Sequence, residues 1–356
     1  MTQRGGAERV VLAMARAFPD AAVHTSLYDP AGTFPEFAEI DVRPAPLDRV
    51  APLRRRHRWA LPLLAPTFST MRVDADVVVC SSSGWAHGAR TTGRKVVYCY
   101  APARWLYQTD SYLSSTGRVG GAGVRALLPA LRTWDQRAAR SADRYVSISH
   151  HTRAMVRDAY GIDSDVVFPP VTIDVSAPQS PVGDVQPGYF LCVARLLPYK
   201  NVDAVIAAFA QLRPERLVVV GDGPESARLH AMAGANVTFL SAISDDALCW
   251  LYANARAVIA ASFEDFGLTP VEAAASGTPT IALRYGGYLD TVIEGSTGHF
   301  FDEPAAASIA AAVRGFATAT YSSDTLRTHA ASFGEEHFAS QLRDVVDEAV
   351  AGAGSA

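Results

Sequence analysis

The chain has 356 residues, 49% of them hydrophobic and 19% charged, with a formal net charge of −4. That composition belongs to globular domains and excludes a disulfide miniprotein, a disordered tail and a fibrous repeat. No apolar run approaches the roughly 20 residues of a membrane span, and Met1-Thr2-Gln3-Arg4-Gly5-Gly6 has no signal-peptide character, so a cytoplasmic protein is expected.

The charge is unevenly divided. Residues 1–180 carry 22 basic and 16 acidic side chains, residues 181–356 carry 10 and 20, and the change of sign suggests two units in different surroundings. Only Lys95 and Lys200 are lysines; arginine supplies every other side-chain cation. Gly5-Gly6-Ala7-Glu8-Arg9 opens an amphipathic helix with Ala7, Val10, Val11, Met14 and Phe18 on one face, stopped by Pro19. Arg54–Trp59 is a basic cluster ahead of the apolar Leu61–Phe68. It reads either as a solvated face or as a contact for an anionic membrane surface. Nine short apolar runs read as strands: Ala75–Cys80, Lys95–Tyr100, Tyr145–Ser149, Asp165–Phe168, Tyr189–Ala194, Leu217–Val220, Val237–Leu240, Ala257–Ala261 and Thr280–Leu283. Helix-period stretches lie between many of them, as in Val202, Val205, Ile206, Phe209 and Leu212. Such alternation predicts parallel sheets covered by helices. The proline-bearing, aperiodic Thr172–Gly188 divides them. The expected organisation is an N-terminal domain over 1–174, a linker over 175–188, a C-terminal domain over 189–334 and a terminal helical segment over 335–356. Cys80, Cys99, Cys192 and Cys249 stand far apart without metal or C-x-x-C spacing and read as buried thiols.

Three segments of the second half carry chemistry. Strand Tyr189–Ala194 runs into Arg195 and Lys200, and Asn201 is placed to cap the following helix. Cations oppose the dipole at a helix N-terminus, so the placement suits a bound anion held by both cations and by free N–H groups. Leu217–Val220 leads into Gly221-Asp222-Gly223-Pro224-Glu225, a glycine turn of little specificity alone. The sharpest segment follows Ala257–Ala261: Glu264, Phe266-Gly267-Leu268-Thr269, Pro270 and Glu272. Thr269, Pro270 and Glu272 read as N-cap, N1 and N3 of a capping box, so Phe266–Thr269 would offer backbone N–H groups. Two carboxylates suit vicinal hydroxyls, and the cations suit a diphosphate. A third glycine turn, Gly286-Gly287, could add donors.

Glu264 and Glu272 with seven residues between them, the Arg195…Lys200 pair, Gly221–Glu225 and Gly286-Gly287 together resemble the family 4 retaining GT-B glycosyltransferases over nearly the whole chain. The resemblance implies an α/β fold of two doubly wound Rossmann-like domains facing a cleft. It implies a retaining enzyme that moves a hexose from a nucleotide diphosphate sugar to a hydroxyl acceptor in surface polysaccharide or glycolipid synthesis. Arg195, Lys200 and Glu264 would be catalytic: the cations would hold the diphosphate, and Glu264 would hold the transferred sugar. Gly5, Gly6, Gly221, Gly223, Phe266, Gly267, Leu268, Thr269 and Glu272 would bind the donor, Glu272 taking the ribose. No metal or cofactor is implied, the nucleotide sugar being a substrate.

The N-terminal half adds departures. Tyr98–Tyr107 resembles a segment of O-antigen-type mannosyltransferases, in which a His usually stands where this chain has Tyr100. That likeness points to mannose and a GDP-sugar over a UDP-sugar, while the tyrosine removes a base near neutral pH. His87, Tyr100 and Arg104 are candidates for sugar or acceptor contact, the acceptor being lipid-linked if the basic cluster meets the inner face of a membrane. In the family the glycine loop follows a first strand. Here the sequence as written opens inside that loop, so a strand is expected upstream. Rival readings are a donor-binding pseudoenzyme or partner subunit, and an epimerase or phosphorylase on the same fold. Nucleic acid is excluded by the acidity and the absence of a reading motif.

Overall fold

The computed structural model describes residues 1–55, 60–107, 121–171, 173, 175, 179–316 and 320–352, which divide into a first unit, Met1–Pro170 with Glu335–Ala356, and a second, Val171–Gly334. Arg56–Trp59 of the basic cluster and residues 172, 174 and 176–178 of the expected linker lie outside the described residues.

In the first unit the strands are β1 (Val23–Thr25), β2 (Val42–Pro44), β3 (Arg72–Val73), β4 (Val77–Ser82), β5 (Arg90–Thr91), β6 (Arg94–Cys99), β7 (Arg144–Ser147) and β8 (Asp165–Val166). They form a four-stranded sheet in the order β4-β6-β7-β8 and two-stranded sheets β1-β2 and β3-β5, every pair parallel. Val96, Val97 and Val146 are fully buried because helices cover the main sheet. Helix Glu335–Ala351 is one of these covers. Its Phe338 ring meets Tyr98 edge-on at 5.7 Å, Glu335 pairs with Arg16, Arg343 donates to the Ala17 carbonyl at 3.2 Å, and Glu348 pairs with Arg144 at 2.8 Å.

One edge of β1 and one edge of β4 line a common apolar slot of about 580 Å³. Ala7, Val11, Met14 and Phe18, four residues of the apolar face predicted for helix Gly6–Ala17 and its C-cap, turn toward this slot. At the slot's end the Met1 amine donates to the Leu27 carbonyl at 2.6 Å and the Asp29 N–H donates to the Met1 carbonyl at 2.9 Å. That pair of bonds is the parallel-ladder pattern, with Met1 opposite Tyr28.

The second unit is a six-stranded parallel sheet, β11-β10-β9-β12-β13-β14, of β9 (Tyr189–Val193), β10 (Leu217–Val220), β11 (Val237–Leu240), β12 (Ala255–Ala260), β13 (Thr280–Leu283) and β14 (Gly298–Phe301). Alternate residues divide between its faces: Phe190, Cys192, Leu217 and Val219 enter one core cluster, Tyr189, Leu191, Val218 and Val220 the other. Val202, Val205, Ile206, Phe209 and Leu212 are all buried, as their period predicts. Val182 and Val185 of the proline-bearing segment pack against the second cluster, which makes that stretch part of this unit.

All nine predicted runs are strands within two residues at each end. All four cysteines are buried free thiols, and burial pushes Cys80 up to about 11 and Cys192 up to about 12. Among the described residues no helix is long and apolar enough to cross a membrane.

Candidate functional site

The carboxyl ends of parallel strands leave backbone groups and side chains exposed together, and ligands bind there in open α/β sheets. In the second unit β9, β12 and β13 deliver the sharpest cluster. After β9 the chain passes Arg195, makes a short turn over Pro198–Lys200, and enters helix Val202–Phe209 through Asn201 at φ 53°. Asn201 is not the side-chain cap expected. Its amide donates instead to the Ala261 carbonyl at 2.7 Å, stitching this turn to the end of β12. The stitch brings Lys200 to Glu264, and the two form an ion pair with 12% and 27% of their side chains exposed. The Lys200 ammonium also lies 5.0 Å from the Tyr199 ring centre. Arg195 is exposed, with no ion-pair partner among the described residues.

The helix after Glu264 runs from Leu268 to Ala275 with Gly267 as its N-cap at φ 89°, so Thr269 and Pro270 lie inside its first turn rather than at N-cap and N1. A side chain at Gly267 would strike the Tyr288 ring at 2.5 Å, and the left-handed φ independently favours glycine. With Gly267 as N-cap, Glu272 does not stand at N3, and its carboxylate accepts from the Tyr252 hydroxyl at 2.7 Å. Burial, then the neighbouring Glu272 charge, pushes that phenol well above its usual range, so it stays a donor. The Gly287 N–H is occupied by the Glu264 carbonyl at 3.0 Å, and the loop lies so close that a Cβ there would meet Phe266 Cα at 2.1 Å. Gly286-Gly287 therefore buttresses the Glu264 loop, and the Gly287 donor is already taken. The site assembles one ammonium, two carboxylates and the N–H groups of Gly267–Thr269 at the helix start, which lack intrahelical acceptors.

In the first unit the carboxyl ends of β4 and β6 gather Ser81, Tyr100 and the start of helix Gly6–Ala17. Tyr100 and Ser81 hydroxyls are 3.0 Å apart, and the phenol reaches the Ala7 carbonyl at 3.3 Å. Burial raises the Tyr100 phenol above its ordinary range, so it is no base. Gly5 is the extended N-cap of that helix and Gly6 its first residue. Arg104 opens the short helix Arg104–Tyr107 and is partly buried.

His87 corrects an expectation. It is 1% exposed, with Nδ1 2.9 Å from Ser82 Oγ and Nε2 3.0 Å from Asp135 Oδ1. Asp135, itself fully buried, also accepts from the Tyr107 hydroxyl at 2.9 Å. His87 is part of an internal polar network and presents no nitrogen to a ligand. Residues the sequence did not single out, Tyr252 and Tyr288, set the positions of Glu272 and Gly267; buried tyrosines in apolar helices carry no motif that announces such work.

Residues 4–176 match the model of Glycosyltransferase Family 4, and residues 177–331 match that of Glycosyl transferases group 1. The chain carries the paired domains of a GT-B glycosyltransferase. A D-inositol 3-phosphate glycosyltransferase of Mycobacterium bovis is 34% identical over 193 residues, covering 48% of this chain. The matched stretch spans 40% of that relative's length. Among solved structures, HepE of Anabaena in complex with UDP and glucose superposes with a TM-score of 0.71 at 18% identity, covering 98% of this chain and 97% of its own. The lipopolysaccharide outer core galactosyltransferase WaaB gives 0.68 at 18%, covering 98% and 97%. Sucrose-phosphate synthase from Thermosynechococcus elongatus gives 0.67 at 20%, covering 97% and 92%.

Within this GT-B chain Gly221 and Gly223 act through packing. A Cβ on Gly221 would lie 1.9 Å from the Ala194 carbonyl oxygen and one on Gly223 2.3 Å from that of Leu196, while Leu196 N–H donates to Asp222. The glycine turn thus supports the loop that carries Arg195. Gly221→Ala is expected to cost about 2–3 kcal/mol of stability through overpacking and strain at φ 149°. It should also weaken nucleotide binding more than a distant substitution of equal stability cost does. Urea unfolding paired with calorimetry checks this, and unchanged affinity would detach the turn from the site.

Proposed function

We propose that the chain is a retaining glycosyltransferase that moves a hexose from a nucleotide diphosphate sugar to a hydroxyl acceptor. The observation that carries this is the Lys200–Glu264 pair beside a helix N-terminus with Glu272 one turn inside it. In this reading the diphosphate takes Lys200, Arg195 and the first-turn N–H groups, and Glu272, held by Tyr252, accepts the ribose hydroxyls. Glu264, released from Lys200, accepts hydroxyls of the transferred sugar. As the glycosidic bond breaks, negative charge grows on the leaving diphosphate, where fixed cations and dipoles stabilise it most. In this reading the reaction is front-face, the departing phosphate taking the acceptor's proton as the new glycosidic bond forms.

The relatives' own names support a sugar-transferring role, and the solved complex with UDP makes uridine the first base to test. Guanine, with mannose as the sugar, is the other arm, resting on the Tyr98–Tyr107 likeness. A lipid-linked acceptor in polysaccharide or glycolipid synthesis remains part of the proposal. A second reading, nucleotide binding without turnover, is favoured by Tyr100, whose hydroxyl is tied to Ser81 and Ala7.

Calorimetric titration with UDP, GDP and ADP decides the base. One nucleotide should bind at micromolar Kd, and Glu272→Gln should weaken it about 10-fold, in the range of a lost charge-assisted hydrogen bond. Equal, weak binding of all three would sink the assignment of Glu272. Hydrolysis of the matching nucleotide sugar then separates an enzyme from a binder.

A further inference from the structure

The first unit holds a second cavity, of about 830 Å³, lined among others by Arg72, Arg90, Lys95 and Arg137. It lies at the amino ends of β5 and β6, the opposite strand ends from Ser81 and Tyr100. Its size is that of small-molecule sites. Two carboxylates, Asp74 and Asp143, also line it. Asp143 is already engaged: it accepts from Arg94 at 2.6 Å and from the Lys95 backbone N–H at 2.8 Å. Arg72, Arg90 and Arg137 are exposed, and none forms an ion pair among the described residues.

Lys95 is the unusual member. It is 7% exposed in a chain that otherwise uses arginine almost throughout. Its ammonium donates to the His87 carbonyl at 3.2 Å and to Ser141 Oγ at 2.9 Å. Both acceptors are neutral, and an ammonium has three donors. One N–H is therefore left without a partner among the described residues, at the wall of a cavity. Burial lowers the Lys95 pKa, the mark of a cation whose lost hydration is not made good by a counter-charge. Trp134 forms a rigid wall, its indole donating to Ser69 Oγ at 2.8 Å and its ring set against Gly88, where a Cβ would come within 2.6 Å.

We propose that this cavity binds a phosphomonoester. The dianion meets the free Lys95 N–H and the three arginines, and the remainder of the ligand lies along Trp134 with the Thr91 and Thr133 hydroxyls in reach. The site is separate from the nucleotide-sugar reading and stands or falls without it. A soluble sugar phosphate and a lipid headgroup share this chemistry.

The test titrates the full chain with glucose 6-phosphate by calorimetry and, separately, sediments it with vesicles of phosphatidic acid against vesicles of phosphatidylcholine. Saturable, salt-sensitive binding in either arm is expected, and the arm that responds identifies the source. Arg90→Gln with Arg137→Gln, two exposed positions that leave the fold intact, should weaken it at least 10-fold, and Lys95→Met should do the same. Lys200→Ala, in the other unit, should leave it unchanged. Absence of binding in both arms overturns the proposal, as does binding that survives the arginine substitutions or is lost in Lys200→Ala.

Discussion

Lys200→Ala should reduce turnover about 1,000-fold while the protein stays folded. Removing one neutral donor from a site of developing negative charge costs about 100- to 1,000-fold, and Lys200 brings a full charge with only 12% of its side chain exposed. The loss should fall on kcat more than on donor KM, because the leaving group gains charge only as the bond breaks. A companion substitution gives a result of opposite sign. Glu264 pairs with Lys200, and in the proposed reading it competes with the diphosphate for that ammonium. Glu264→Gln should therefore tighten the free nucleoside diphosphate a few-fold while still lowering sugar transfer, since the charged acceptor proposed for the sugar is gone. Steady-state kinetics with calorimetry on both variants reads the pair of effects. Retention of a tenth of kcat in Lys200→Ala, or weaker nucleotide binding in Glu264→Gln, would remove the ion pair from the mechanism.

What the sequence made legible follows from how each signal is generated. The strands buried on both faces, such as Leu217–Val220 and Thr280–Leu283, announce themselves as continuous apolar runs because both faces must be dry. The strands β1, β2, β3 and β5 read Val-His-Thr, Val-Arg-Pro, Arg-Val and Arg-Thr: two or three residues each, most of them polar, with no period to detect. At the site, residue types and order were readable, but local partners were not. Asn201 has the right identity for a cap, yet its left-handed backbone turns its amide toward Ala261. Glu272 stands at capping-box spacing from Thr269, yet the helix starts earlier and Tyr252 claims the carboxylate. His87 stood in a loop expected to face a ligand, and only tertiary packing shows Asp135 and Ser82 enclosing it. Local rules identify which side chains can do chemistry; long-range contacts decide which of them are already occupied.

An extended apolar segment of five or six residues joined ahead of Met1 should stabilise the first unit by several kcal/mol. Among the described residues the slot between β1 and β4 has one unpaired edge on each side, and Val77, Val78, Val79, Val11 and Met14 line it. Met1 already pairs in parallel with the chain at Tyr28, so residues placed before it continue the same ladder back along β1 toward Val23. Each ladder bond contributes about 1 kcal/mol net and each buried valine about 1.5–3 kcal/mol. Ordering costs about 1–2 kcal/mol per residue, and the balance favours insertion where bonds form on both sides of the added strand. At about 2–4 °C per kcal/mol for a unit of this size, the melting temperature should rise by about 5–15 °C. Amide exchange at Val23–Thr25 and Val77–Cys80 should slow, because those N–H groups acquire acceptors or leave solvent. A control segment with Pro at alternate positions loses its donors to one of the two edges and should give a clearly smaller gain. Equal stabilisation by both segments would mean that hydrophobic contact alone fills the slot. No stabilisation by either would mean that the two sheets close on each other in solution, and that the parallel pairing of Met1 ends where it is seen.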